Sequence, residues 1–171
     1  MRLTERIELK ESQPFSRLCH FAKNIYNLAT FYVRQDFFYL DNWLRYNDLW
    51  LILKRNEAYQ KLPSQTAQQV LKTVDRAWKS FFNSIKDWKC HPEKYFGRPK
   101  LPGYKKKDGE FVVIFTNQQC TLKNGFLRFP KNSGLMEIKT RITSGLHQVR
   151  IVPKGLYYAL EIVCTRKRMQ T

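Results

Sequence analysis

Between positions 67 and 88 apolar residues return every three or four places: Ala67, Val70/Leu71, Val74, Ala77/Trp78, Phe81/Phe82, Ile85 and Trp88. That is the repeat of one helix face, and it is held too long for a strand. Pro63 and Ser64 stand where such a helix opens. A stripe this rich in rings buries most naturally against other helices, so the chain must contain a helical layer. A second helix is predicted from Phe15, where Leu18, Phe21/Ala22, Ile25, Leu28/Ala29 and Tyr32 keep the same period. It enters through Ser12 and Pro14 and spans about five turns. Positions 41–60, with Trp43, Tyr46, Trp50 and Tyr59 near Arg45, Lys54 and Arg55, read as one or two short helices.

Beyond Lys89 the helical period stops. Positions 97–107, Gly-Arg-Pro-Lys-Leu-Pro-Gly-Tyr-Lys-Lys-Lys, are too broken by proline and glycine for a helix and form an extended loop. Everything after it reads as strand. The run 111–115 is wholly apolar, and Asn124-Gly125 joins 120–123 to 126–129 as a type I′ hairpin. Pro153-Lys154-Gly155 joins 149–152 to 156–163 in the same manner. These strands are expected to form a β-meander. Leu3, Ile7 and Leu9 alternate with charged neighbours as one more strand, stranded ahead of the helices. The predicted class is therefore α+β, with residues 1–12 completing a C-terminal sheet and the helical block inserted after that first strand.

Charge decides what such a fold would meet. Lys and Arg number 31 against 14 Asp and Glu, a formal net charge of +17, and a field of that sign attracts polyanions. The longest apolar runs, near Leu49–Leu53 and Val112–Phe115, fall far short of a membrane span of about 20 residues. The opening Met1-Arg2-Leu3-Thr4-Glu5 lacks the apolar segment of a secretion signal. A cytoplasmic protein is expected, without a membrane partner. Cys19, Cys90, Cys120 and Cys164 include no C-x-x-C pair, which fits buried, reduced thiols better than disulfides or zinc. The adjacent pairs Cys19-His20 and Cys90-His91 have no second pair at ligand spacing.

Arg98, Lys100, Lys105, Lys106 and Lys107, with Tyr104 among them, are the densest cationic stretch. Lysine and arginine neutralise phosphates and release counterions, while an aromatic ring stacks on a base or ribose. A solvated loop has the same composition, but the basic background and the strands beside it favour a nucleic-acid backbone. Ser64, Gln68 and Lys72 are spaced by four and point one way from the long helix, and glutamine can bond adenine bidentately. A plain solvated face is the competing explanation. Catalytic constellations fail. No Asp follows Asp108, and His20, His91 and His147 lie in unrelated contexts. There is no Gly-rich phosphate loop or nucleophile elbow, and no carboxylate cluster to hold divalent ions. No metal site and no cofactor is expected.

The order of segments resembles the N-terminal half of the OrfB/TnpB family, insertion-sequence proteins related to type V CRISPR effectors. The resemblance runs through Leu3 to Leu9, Phe21-Ala-Lys-Asn-Ile-Tyr-Asn27, and Leu62-Pro-Ser-Gln to Ala77-Trp-Lys-Ser-Phe-Phe82. It continues through Gly97-Arg-Pro-Lys to Lys107 and Phe115-Thr-Asn117. It implies a split wedge domain of small antiparallel β-barrel type (1–12 and 109–165), an inserted helical recognition domain (13–96), a basic linker (97–108) and a basic tail (166–171). It also implies a prokaryotic protein, nucleoid-associated when DNA-bound, that holds a guide RNA and reads a transposon-adjacent motif in duplex DNA.

Carried over by position, Tyr46, Ser64, Gln68, Thr116 and Asn117 would face that motif. Lys72, Arg98, Lys100, Tyr104, Lys105, Lys106 and Lys107 would hold phosphates or RNA. Ser64 departs from a lysine in the family pattern, which leaves the motif open. In the family a RuvC-like nuclease follows the last wedge strand, whereas this sequence ends at Thr171 before its Asp-bearing strand. The expectation is a transposase-type binding portion that is not an enzyme on its own. The alternatives are a regulatory or interaction protein that complements a separately encoded nuclease half or represses a target, or a non-functional relic.

Overall fold

The structure, a computed structural model, describes residues 1–10 and 13–166. The helix entry at Ser12 and the basic tail from 167 onward lie outside the described residues. The first strand, β1 (Arg2–Lys10), is followed by α1 (Gln13–Leu40), α2 (Tyr46–Leu53), α3 (Glu57–Gln60) and α4 (Ser64–Cys90). Then come β2 (Val113–Thr116), β3 (Thr121–Lys123), β4 (Phe126–Arg128), β5 (Ile138–Lys139), β6 (Leu146–Pro153) and β7 (Tyr157–Thr165). Short 3-10 turns stand at Pro92–Lys94 and Lys131–Ser133. Among the described residues no helix is long and apolar enough to cross a membrane.

The α+β class and the insertion after the first strand are both present. β1 pairs antiparallel with β7 over its whole length, from Arg2 opposite Thr165 to Lys10 opposite Tyr157. The four-stranded sheet runs β1-β7-β6-β2, and β3-β4-β5 form a second, three-stranded sheet. Among the described residues no hydrogen-bonded ladder joins the two into a closed barrel. The expected meander is also corrected, because β2 takes β6 as its partner and not its neighbour β3. Burial explains the choice. Val113 lies opposite Ile151 and Phe115 opposite Val149, and all four are fully buried. The short strands β3 to β5 have their own inward row, Leu122, Leu127 and Ile138, which sits opposite in register. Asn124 (φ 52°) and Gly125 (φ 78°) both take positive φ, as a type I′ turn requires.

Two sequence expectations change in length. α1 covers 28 residues where about five turns were expected. Val33 is buried beyond Tyr32, and Phe37 reaches the ring of Trp78 on α4 at 5.7 Å, so tertiary contact carries the helix past the polar stretch 34–36. The apolar run 111–115 is a strand only from Val113, because the Phe111 N–H donates to the Cys19 carbonyl on α1 at 3.0 Å. Cys19, Cys120 and Cys164 are buried as expected, while Cys90 is exposed at the end of α4. Burial pushes the Cys120 thiol up to about 12 and the Cys19 thiol higher still.

α1 buries Leu18, Ala22, Ile25, Ala29 and Val33, and α4 buries Ala67, Val70, Leu71, Val74, Trp78 and Phe81. These stripes form one core with the inner face of the larger sheet. The loop after β5 is tied to β1 through Glu5. Its carboxylate accepts from the Thr140 hydroxyl (2.8 Å) and from the Arg141 backbone N–H and guanidinium Nε (3.0 Å for the latter). Burial pushes the Glu5 pKa up, but these bonds outweigh it and hold the group below its ordinary 4.5. A depressed carboxyl pKa stabilises the fold above the unfolded value, and that contribution is lost as pH falls through the folded value. Glu5→Gln should therefore be less stable than the parent at pH 7, with the gap closing below about pH 4. Denaturant melts across pH would show it; parallel stability curves would remove this role from Glu5.

Candidate nucleic-acid interface

The basic segment predicted as a linker is a strap fastened along α1. Proline and glycine keep it extended, so its backbone groups cannot pair among themselves and need partners elsewhere. α1 supplies them. The Arg34 guanidinium donates to the Pro102 carbonyl (3.0 Å). The Asn27 amide donates to the Lys105 carbonyl (2.9 Å) and accepts from the Lys105 N–H (2.8 Å). The Lys23 ammonium, only 3% exposed, donates to the Lys107 carbonyl. With Phe111 on Cys19, the contacts run from Arg34 back to Cys19, antiparallel to the helix.

Chain geometry makes this pairing natural. Fifteen helical residues rise about 22 Å, while nine extended residues reach up to about 30 Å. A turn closed by the Gly109 N–H on the Lys106 carbonyl (2.9 Å) takes up the slack. A Cβ on Gly109 would lie 3.1 Å from that same carbonyl, which suits glycine to the turn. The strap's far end is held by Glu110, which accepts from the Ser16 hydroxyl (2.9 Å) and the Tyr158 hydroxyl (2.7 Å). Burial first, and then this bond, push the Tyr158 pKa up to about 12.

Because the fastening uses carbonyls and N–H groups, the strap's charged side chains stay outside, while Leu101 packs against the core. Arg98, Lys100, Tyr104, Lys105, Lys106 and Lys107 are all exposed. Lys105 differs from the other cations: its ammonium lies 5.1 Å from the Tyr26 ring centroid and 5.3 Å from that of Phe111. It is a cation partly committed to the protein's own rings.

The motif candidates gather elsewhere, around the N-terminal half of α4. The Thr116 hydroxyl donates to Gln65 Oε1 (2.6 Å), and Gln119 Oε1 accepts from the Thr116 N–H (3.0 Å) while its amide donates to Thr66 (3.1 Å). This lattice ties the end of β2 to the first turn of α4, bringing Thr116 and exposed Asn117 beside exposed Ser64. Behind Ser64 stands Tyr59, whose hydroxyl donates to the Ser64 carbonyl at 3.5 Å. Burial raises the Tyr59 pKa, opposed by bonds with Ser64, Gln68 and Trp50. Gln68 is half-buried, and Lys72 places its ammonium 5.4 Å from the ring of half-buried Tyr46. The Tyr46 backbone is fixed by Asp75, which accepts from the Tyr46 N–H (3.2 Å) and pairs bidentately with Arg45 (2.9 and 3.2 Å).

Thus Tyr46, Ser64, Gln68, Lys72, Thr116 and Asn117 share one neighbourhood, and the strap cations share another. Among the described residues no hydrogen bond or ring contact joins the two groups. Sequence reasoning missed Lys23, Asn27 and Arg34, the residues that shape the strap. The readable signal was Lys23 and Asn27 following Cys19 at steps of four within a buried face. It also missed Gln65, Gln119 and Asp75, which lack any local pattern. Among the described residues no three His, Cys, Asp or Glu side chains converge on a point that could hold a metal ion. No known protein-family model and no curated protein matches this chain.

Proposed function

We propose that this chain is a nucleic-acid-binding protein that grips a phosphate backbone on its strap, in the manner of the OrfB/TnpB family it resembles. The observation that carries the proposal is the strap itself: a run of exposed cations on a backbone pinned to a helix, within a chain of net charge +17. A pre-positioned row of cations binds phosphates at lower ordering cost than free lysines would. A guide RNA transcribed from the protein's own locus is the proposed occupant of the strap. The junction of α4 and β2, with Ser64, Gln68, Thr116 and Asn117, is the proposed reader of a short motif in duplex DNA. Thr116 already gives its hydroxyl to Gln65 and Gln68 is half-buried against Tyr59, so exposed Ser64 and Asn117 are the side chains with freer reach. The role assigned is binding and not catalysis.

Fluorescence anisotropy of the purified chain with RNA from its locus tests this directly. Log affinity should fall linearly with log salt at a slope of about −2.8 to −3.5, the value for four or five phosphates on a single strand at about 0.7 each. An affinity independent of salt would falsify phosphate neutralisation as the mechanism.

A further inference from the structure

Where the strap crosses the last turns of α1, three aromatic side chains face solvent together. Phe38 is 53% exposed, Tyr104 50% and Phe31 44%. Phe31 and Phe38 are seven residues apart on α1, two turns along one face, and Arg34 stands between them. The Arg34 guanidinium carbon lies 5.4 Å from the Phe38 ring centroid and 5.4 Å from that of Tyr104. Its Nη1 is simultaneously bonded to the Pro102 carbonyl. The cation is therefore held between two rings by three contacts, and both rings keep about half their surface open.

Exposed phenylalanine sacrifices hydrophobic stabilisation, and clustered exposed rings mark an interaction site. The occupant must suit both the rings and the charge. An apolar protein surface would have to desolvate Arg34 beside the strap's lysines, which is costly without a matching anion. A second copy of this chain brings the same strongly positive field and is repelled. A nucleic-acid duplex offers phosphates and base edges, but its base faces are already stacked on one another. An unpaired base offers a π face to a ring or to a guanidinium plane, with a phosphate on either side. Loops and single strands with splayed bases are chiefly a property of RNA.

We infer that Phe38, Arg34 and Tyr104 form a stacking platform for unpaired bases of an RNA strand, with Phe31 extending it and the neighbouring strap lysines holding the flanking phosphates. This deepens the proposed function and rests on it. Phosphate contacts alone cannot distinguish paired from unpaired RNA, and the platform would supply that distinction.

The test uses the full chain and a short unstructured oligoribonucleotide carrying 2-aminopurine, whose fluorescence is quenched on stacking. The unaltered protein should bind it, quench it, and prefer it to the same strand in a duplex and to the matching oligodeoxyribonucleotide. Phe38→Ala and Tyr104→Ala should each weaken binding about tenfold and relieve the quenching, with the salt slope unchanged because no charge is removed. Tyr104→Phe should keep both. Should Phe38→Ala fold poorly, Tyr104→Ala carries the test from the strap.

Salt-dependent binding that is indifferent to both alanine variants overturns the platform and leaves the phosphate-binding proposal standing. Equal affinity for the duplex or the deoxyribonucleotide strand overturns the assignment to unpaired RNA. Self-association that Phe38→Ala abolishes overturns it in favour of a second copy. No RNA binding, or binding flat with salt, removes the parent proposal and this one together.

Discussion

Replacing Arg98, Lys100, Lys106 and Lys107 together by alanine is expected to lower affinity for the locus RNA by two to three orders of magnitude at about 0.1 M salt, with the salt slope reduced by about three units. Four cations at about 0.7 per phosphate account for the slope. At about 0.1 M, one logarithmic unit below the 1 M reference, the same four contacts account for the affinity. Lys105 is left in place because its ammonium already lies against the Tyr26 and Phe111 rings. The substitutions should not loosen the strap. Among the described residues none of the four side chains makes a hydrogen bond or ion pair, and the strap is held by backbone groups at 102, 105 and 107. A thermal midpoint within about 2 °C of the parent, measured beside the binding, would separate lost contacts from lost structure. A midpoint that fell sharply would place these side chains in the fold, and an unchanged slope would place the RNA elsewhere.

That separation of charge from fastening also marks where sequence reading stops. The cations, the prolines and the extended character of 97–107 are local properties and were legible. The helix that receives them was legible too, from its apolar period. Their pairing was not, because Lys23, Asn27 and Arg34 meet residues 68 to 84 positions away, and no local pattern encodes a partner at that distance. The same limit appears in the sheet. Both hairpins followed from turn chemistry, whereas the pairing of β2 with β6 depended on matching fully buried residues across more than thirty positions. β5, two residues long, is too short to show an alternation at all. In the motif neighbourhood, Ser64, Gln68 and Lys72 share a face by simple spacing. Thr116 joins them through Gln65, 51 positions distant, and through Gln119, which bridges it to Thr66. Periodicity found the surfaces, and long-range polar contacts decided which surfaces became one site.

The aromatic stripe that first required a helical layer supplies the largest single stability effect. Trp78 is fully buried, with ring centroids 5.7 Å from Phe37 on α1 and 6.0 Å from both Phe81 and Phe82. Phe82 in turn lies 4.7 Å from Trp43, just before α2. Trp78→Ala would open a cavity where three helical segments meet, at a cost of about 3–5 kcal/mol, against a total of about 5–15 kcal/mol for a typical domain. The thermal midpoint should fall by about 10 °C or more for a chain of this size. Trp78→Phe should cost much less. It keeps a ring in the cluster, and the indole N–H it removes has no protein acceptor among the described residues. Ser64→Ala, at the exposed first position of the same helix, should leave the midpoint nearly unchanged. RNA binding by Trp78→Ala should recover on cooling, or with excess RNA, because ligand draws the folding equilibrium back toward the native state. If Trp78→Ala melted within about 2 °C of the parent, the ring cluster would not be what holds α1, α2 and α4 together, and the platform that α1 offers the strap would need another support.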